Sequence, residues 1–416
     1  MFLAAKGTQG RRGGNQNSPK HRGSSGEVFK FVLSYAPYNT YLHPLHSFPG
    51  PLLWRSFRFP YVISTQRGIL HKQLKEFHTK YGPVPSVEDI YANRPGHLPF
   101  ERNPTWFKKM KPDEPNSIMG FVEEDHTRYT RAFANAFSER SLKEQMPVVE
   151  SYVDLFISQL KSPVSGRKWK ENTIDFTKWF NFLTFDISGN FTYGESFDCV
   201  KNERRFTDGE WGINLLIIAF AASETTASTL TAITRELVQH KGALHRLTHE
   251  IREAFTTESD ITVMSTANLD YLNAVINEGM RLDPAVVIGV PRVVPEGGDT
   301  VCGKWLPGGT YVTFNQFSAY RQAYNFRNPN SFIPERFLDK GKDAGDDMSA
   351  FQPFQLGRHT CIGLKVAYSE MRVVLARLLC SFDLQLADEN DRWDWGKQNT
   401  YILWVGVQDV PSVRSR

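Results

Sequence analysis

The chain is 416 residues long, 40% apolar with 30 Phe, and carries a formal net charge of only +4. That length admits about two or three domains or one large mixed fold, and so balanced a charge excludes nucleic acid as the expected partner. Cys199, Cys302, Cys361 and Cys380 make no spacing framework, which excludes a disulfide-stapled secreted scaffold and fits a reducing, intracellular setting.

In chain order, residues 1–34 read as a disordered basic tail without a membrane anchor. No acid precedes Glu27, and the apolar run Val28 to Leu33 is short and carries Lys30. No other run approaches the roughly 20 apolar residues of a membrane span, so no transmembrane helix is expected. Gln66 to Tyr81 has helical spacing and stops at Gly82-Pro83. Ser141 and Glu144 have capping-box spacing and open a helix with Met146, Val149, Val153, Phe156 and Leu160 on one face. Ile174 to Phe197 reads as an aromatic-rich core helix, and Trp211 to Lys241 as one long helix with AASETTASTL at its centre. Leu269, Leu272, Ile276 and Met280 mark the buried face of a helix that ends before Pro284. Its Glu278 and Arg281 lie three apart, hence on one face and able to pair. The strand-like YVTFNQF follows a Pro-Gly-Gly turn, and Val366, Met371, Val374, Leu375 and Leu378 predict a last core helix.

Between these last elements stands FQPFQLGRHTCIG, residues 351–363, in which Phe354, Gly357, His359, Cys361 and Gly363 fit F-x-x-G-x-(R/H)-x-C-x-G. This resembles the haem-binding loop of the cytochrome P-450 family. The residue types suit a thiolate–iron site. Cys361 would ligate the iron, and a helix starting just after it places the sulfur near a positive helix end, which lowers a cysteine pKa. Gly357 permits a turn closed to residues with side chains, and Gly363 lets the backbone approach a flat ligand. His359 would serve a haem propionate, and Phe354 would shield the sulfur from water.

Other motifs carry the same resemblance. Ala221, Ala222, Ser223, Glu224, Thr225 and Thr226 match A-G-x-(D/E)-T-(T/S), with Ala222 in place of the usual Gly. Cleaving dioxygen takes protons, and the Thr225 hydroxyl beside the Glu224 carboxylate would relay them. A hydroxyl there can also bond its own i−4 carbonyl. Glu278 and Arg281 match E-x-x-R, and FIPERF supplies Arg336 as third member of a structural triad. Arg292 of VPRVVP stands where relatives send an arginine to a propionate. His126 matches the first of two propionate contacts on an earlier helix; Thr130 departs from the second, leaving Arg131 as either substitute or solvated arginine.

The resemblance implies a mainly α fold with a small β region, one haem-binding domain over residues 35–416, and b-type haem. It also implies NADPH-derived electrons from a partner cytochrome P-450 reductase. That reductase would dock near Cys361, at Arg358, Lys365 and Arg372. Location is expected to be cytoplasmic or peripheral on the endoplasmic reticulum. The expected reaction is oxygen-dependent hydroxylation of a hydrophobic secondary-metabolite intermediate, as in fungal members. Desaturation or rearrangement is the alternative on the same site. Two stretches look shortened: the strands between YGPV and DIY, near residues 84–86, and the substrate-covering helices, near 198–210. An incomplete distal lid follows, leaving Leu216 and Phe220 exposed. A catalytically impaired haem binder, or a faulty gene model, would share this feature.

Overall fold

The computed structural model describes residues 34–82, 86–104, 127, 131, 137–162, 173–203, 213–339, 345–386, 395–401, 403–404 and 413–415. Helices dominate it: α1 (Leu52–Ser56), α2 (Phe59–Gln66), α3 (Leu70–Tyr81), α4 (Val87–Tyr91), α5 (Glu139–Lys161), α6 (Phe176–Tyr193) and α7 (Cys199–Asn202). Then come α8 (Ile213–Gln239), α9 (Lys241–Ala254), α10 (Asp270–Leu282), α11 (Gln316–Tyr320) and α12 (Leu364–Ser381). The strands are short. β1 (Glu101–Arg102), β3 (Arg292–Val293) and β6 (Tyr311–Val312) form one antiparallel sheet in the order β1-β3-β6. β2 (Thr173–Ile174), β8 (Val413–Ser415) and β7 (Leu384–Leu386) form a second, and β4 (Asp299–Val301) pairs with β5 (Lys304–Leu306) as a hairpin. The mainly α class with a small β region is what the sequence predicts.

The main core lies where α5, α6, α8, α10 and α12 meet. Val149, Val153 and Phe156 of α5 are fully buried, as their spacing requires, and pack with Phe180 and Leu183 of α6 and Leu378 of α12. α10 presses on α8 at Gly279, where an added Cβ would come within 2.3 Å of Ile233. A larger residue there would push apart the two helices that carry Glu278 and Thr225.

Several boundaries differ from the sequence reading. The helix expected from Gln66 begins at Leu70, because Gly68 takes a left-handed φ of 67° and separates it from α2. α5 is capped by Ser138, whose Oγ accepts the Ser141 amide at 3.2 Å. The predicted cap, Ser141, lies inside the helix, and Glu144 pairs instead with Arg140 at 3.1 Å. The long helix ends at Gln239, and His240 separates it from α9. YVTFNQF is extended only at Tyr311–Val312. Asn315 then caps α11 by accepting the Ser318 amide at 2.8 Å, a local side-chain bond that competes with the ladder.

Candidate haem-thiolate site

The loop before α12 is held mainly by backbone. The Cys361 amide donates to the Phe354 carbonyl at 2.9 Å and closes the turn on itself. Gly357 has φ 73°, and a Cβ there would lie 2.1 Å from the Tyr91 carbonyl oxygen. Glycine is thus required twice, by conformation and by contact. Gly363 differs: a Cβ would meet the Cys361 sulfur at 3.8 Å, an ordinary contact, so packing within the protein does not demand glycine. The Phe354 ring lies 5.5 Å from that of Tyr368, tilted by 40°, so it turns toward α12.

Cys361 stands where residue order places it, with burial acting on its thiol. α12 begins at Leu364 with Gly363 as its cap, so the sulfur does stand before a helix start. Yet burial pushes the thiol pKa up, and the Gly363 amide, which pulls it down, does less. The residue is exposed by surface area, while the protein packed around the sulfur supplies the desolvation.

On α8, the Thr225 hydroxyl donates to the Ala221 carbonyl at 2.8 Å, the i−4 bond expected for it, and Thr226 does the same to Ala222 at 3.1 Å. Glu224 and Thr225 are both half-buried, while Ala221 and Ala222 are exposed. Phe220 is 47% exposed, its inner edge against Phe185. The side chain of Leu216 lies outside the described residues.

The E-x-x-R residues converge as predicted, with one additional member. Arg281 holds Glu278 through two bonds, Nε to Oε2 at 2.7 Å and Nη2 to Oε1 at 2.9 Å. Arg336 reaches the same Oε2 through Nε at 3.0 Å, and its Nη1 pairs with Asp346 at 2.5 Å. All four side chains are fully buried. Arg281 also donates to the carbonyls of Tyr320 and Pro329, and Ile333 donates its amide to Glu278. Asp346 had no signal in the sequence, because its partner's second face is visible only in space.

Arg292 is 1% exposed in β3, with its guanidinium 5.2 Å from the centre of the Tyr91 ring. His359 is half-buried, and Arg131 is exposed, as a solvated helix arginine would be. His126 and Thr130 lie outside the described residues. Of the expected docking cations, Lys365 is engaged by Glu139 at 2.5 Å, and Arg372 donates to Asn273 at 2.7 Å while lying over the Tyr368 ring. Lys365 and Arg372 are therefore less available to a partner than the sequence suggested.

Glu370 was missed. It is 5% exposed on α12, and burial pushes its carboxyl up to about 8, offset in part by a hydrogen bond with Thr226. The signal was there: Glu370 falls four residues from both Val366 and Val374, an acid within the apolar stripe. A cavity of about 1370 Å³ lies elsewhere, around Arg235, Glu236, Asp283 and Arg321. Arg235 is ten residues past Thr225, about 15 Å along the helix, and no residue of the Cys361 loop lines it.

The donors suit haem. Among the described residues no group of three or more His, Cys, Asp or Glu side chains could hold a bare ion. One sulfur on a surface loop, before a helix and on a glycine-dependent turn, instead fits a metal whose other positions are filled by its own macrocycle. Such a fold and site define a haem-thiolate protein.

The comparisons agree. Residues 200–405 match the family model described as Cytochrome P450. The chain is 35% identical to the cytochrome P450 monooxygenase astJ of Aspergillus oryzae, over 88% of this chain and 91% of the relative. It is 30% identical to averantin hydroxylase of Dothistroma septosporum, over 91% of this chain and 88% of the relative. It is 29% identical to versicolorin B desaturase of the same organism, over 91% and 90%. This chain belongs to the cytochrome P-450 family and is a haem-thiolate oxidoreductase related to fungal secondary-metabolite monooxygenases. The match to astJ extends over 463 aligned positions, more than the 416 residues of this chain, so the relative has residues without a counterpart here.

Proposed function

We propose that the chain, folded as one haem-binding unit over residues 35–416, oxidises a hydrophobic secondary-metabolite intermediate with dioxygen and NADPH-derived electrons from a partner reductase. When bound, haem supplies the redox chemistry that activates dioxygen. Cys361 would ligate its iron, with Phe354 limiting water at the sulfur and Gly363 allowing close approach of the ring. Arg292, His359 and His126 would hold the propionates. A carboxylate next to a hydroxyl on α8 can hold and pass a proton, which is the role assigned to Glu224 and Thr225. Glu278, Arg281 and Arg336 keep α10 fixed to the loops behind the site and take no part in chemistry.

One observation carries this reading: a thiol at a solvent-reaching loop, directly before α12, on a turn that only glycine at position 357 allows. Hydroxylation is the primary reaction proposed. Desaturation stands beside it because one relative is named a hydroxylase and another a desaturase. The exposed Phe220 and the longer relatives favour a weakly active form of the same enzyme. An intracellular place, in the cytoplasm or on the surface of the endoplasmic reticulum, accompanies the reading. Among the described residues no helix is long and apolar enough to cross a membrane.

The carbon-monoxide complex of the reduced protein tests the assignment. The red-shifted Soret band of thiolate ligation is expected in the parent and in Cys302→Ser, and absent in Cys361→Ser. A band that survives Cys361→Ser would remove that cysteine from the iron.

A further inference from the structure

Tyr91 was assigned no role above, yet the turn at Gly357, the Arg292 guanidinium and the β3–β6 pair all meet on it. It is the last residue of α4 and is 7% exposed. Its carbonyl oxygen fills the space that a Cβ on Gly357 would need, 2.1 Å away, so the turn leading to Cys361 rests on its backbone. The face of its ring carries the buried guanidinium of Arg292 at 5.2 Å. Its hydroxyl donates to the Val290 carbonyl at 2.8 Å and accepts the Phe314 amide at 3.4 Å, reaching both sides of the β3–β6 pair. Burial holds the phenol neutral by raising its pKa, so it remains a donor.

We propose that Tyr91 is the positioning residue that couples the Cys361 loop to Arg292, setting the spacing between the iron ligand and the cation expected to meet the haem's carboxylates. The inference rests on the haem-thiolate reading of the site. The physical reason is division of labour on one side chain. Hydrogen bonding at the ring tip fixes its direction, the ring face attracts a desolvated cation, and the backbone sets the height of the neighbouring turn. An aliphatic residue keeps only the last of these. Phenylalanine keeps the ring and the backbone contact and loses the two bonds at the tip.

The experiment compares the haem-loaded parent with Tyr91→Leu, Tyr91→Phe and Val301→Ala, the last a cavity in the same small core cluster. Haem transfer to an excess of a haem-scavenging apoprotein is timed, and the thiolate Soret band of the reduced carbon-monoxide complex is recorded. Tyr91→Leu is expected to release haem about tenfold faster, the order expected when a desolvated cation–π contact is lost, and to lose part of the thiolate band. Tyr91→Phe should fall between the parent and Tyr91→Leu, since it retains the ring face but loses the two bonds that aim it. Val301→Ala should lower thermal stability and leave haem release unchanged. If Tyr91→Leu behaves like Val301→Ala, or Tyr91→Phe like Tyr91→Leu, the positioning role is overturned. A parent that shows no thiolate band at all would overturn the haem-thiolate reading, and this proposal with it.

Discussion

Gly357 and Thr225 show how differently single residues bear on their surroundings. Gly357→Ala would put a methyl 2.1 Å from the Tyr91 carbonyl at a φ of 73°, so the backbone of α4 or of the loop must move. The φ alone costs about 1–3 kcal/mol for a residue with a side chain, and the clash with the α4 backbone adds to it. Thermal unfolding of the haem-free protein should show it, and an unchanged midpoint would mean the contact is soft. Thr225→Ala should do the opposite. Among the described residues its hydroxyl bonds only within its own helix turn, so stability should change by less than about 1 kcal/mol. If Thr225 passes protons, more peroxide should be released per nicotinamide oxidised. Equal ratios in mutant and parent would return it to an ordinary helix residue.

At the scale of elements, two buried polar groups join helices, and each makes a distinct prediction. Arg336→Leu leaves Glu278 with Arg281 alone and Asp346 with only the longer Arg327 pair at 3.8 Å. Breaking such a buried pair from one side costs roughly 3–5 kcal/mol, so the variant should unfold at clearly lower denaturant. A loss under about 1 kcal/mol, the range of an exposed pair, would show that water reaches the triad. Glu370 ties α12 to α8 through Thr226, and its carboxyl is raised to about 8 against an ordinary value near 4.3. A raised acid contributes fully below its unfolded pKa. Its contribution then falls as pH rises from about 4.3 to 8, while the unfolded chain ionises and the folded one does not. Glu370→Gln should flatten this fall, and by pH 7.5 it should be more stable than the parent. Glu236, also raised by burial and by Asp283, titrates in the same window, so some slope will remain. An unchanged slope in Glu370→Gln would place Glu370 in water.

For the whole molecule, the question is what covers α8 on the N-terminal side of Thr225. Phe220 is 47% exposed and Ala221 and Ala222 are open beside it. Large apolar residues on a surface are common singly, and here the neighbouring ring of Phe185 already covers one edge. Phe220→Ser should cost less than about 0.5 kcal/mol, as for other surface changes, and should reduce self-association in sedimentation. A loss of 2 kcal/mol or more, the range of a core truncation, would mean the ring is covered in solution. Reductase docking belongs to the same scale. Since Lys365 is paired with Glu139, Lys365→Glu places two acids together and should slow reduction by an acidic flavoprotein most at low salt. Insensitivity to both the substitution and ionic strength would move the docking face elsewhere.

The sequence alone was enough for the family, the Cys361 loop, the Glu278–Arg281–Arg336 triad and the apolar faces of α5, α10 and α12. These depend on local spacing: a turn that needs glycine, an i,i+3 pair, a stripe at the helical period. Tertiary structure decided what depends on approach between distant segments. Asp346 completes the triad, Glu370 bonds α8, Tyr91 lies under both Gly357 and Arg292, and Lys365 is already engaged. The Cys361 thiol is the clearest case. Its place before a helix is legible from residue order, whereas the burial that pushes its thiol pKa up is not. Desolvation is a sum over neighbours from many parts of the chain, and no local pattern contains it.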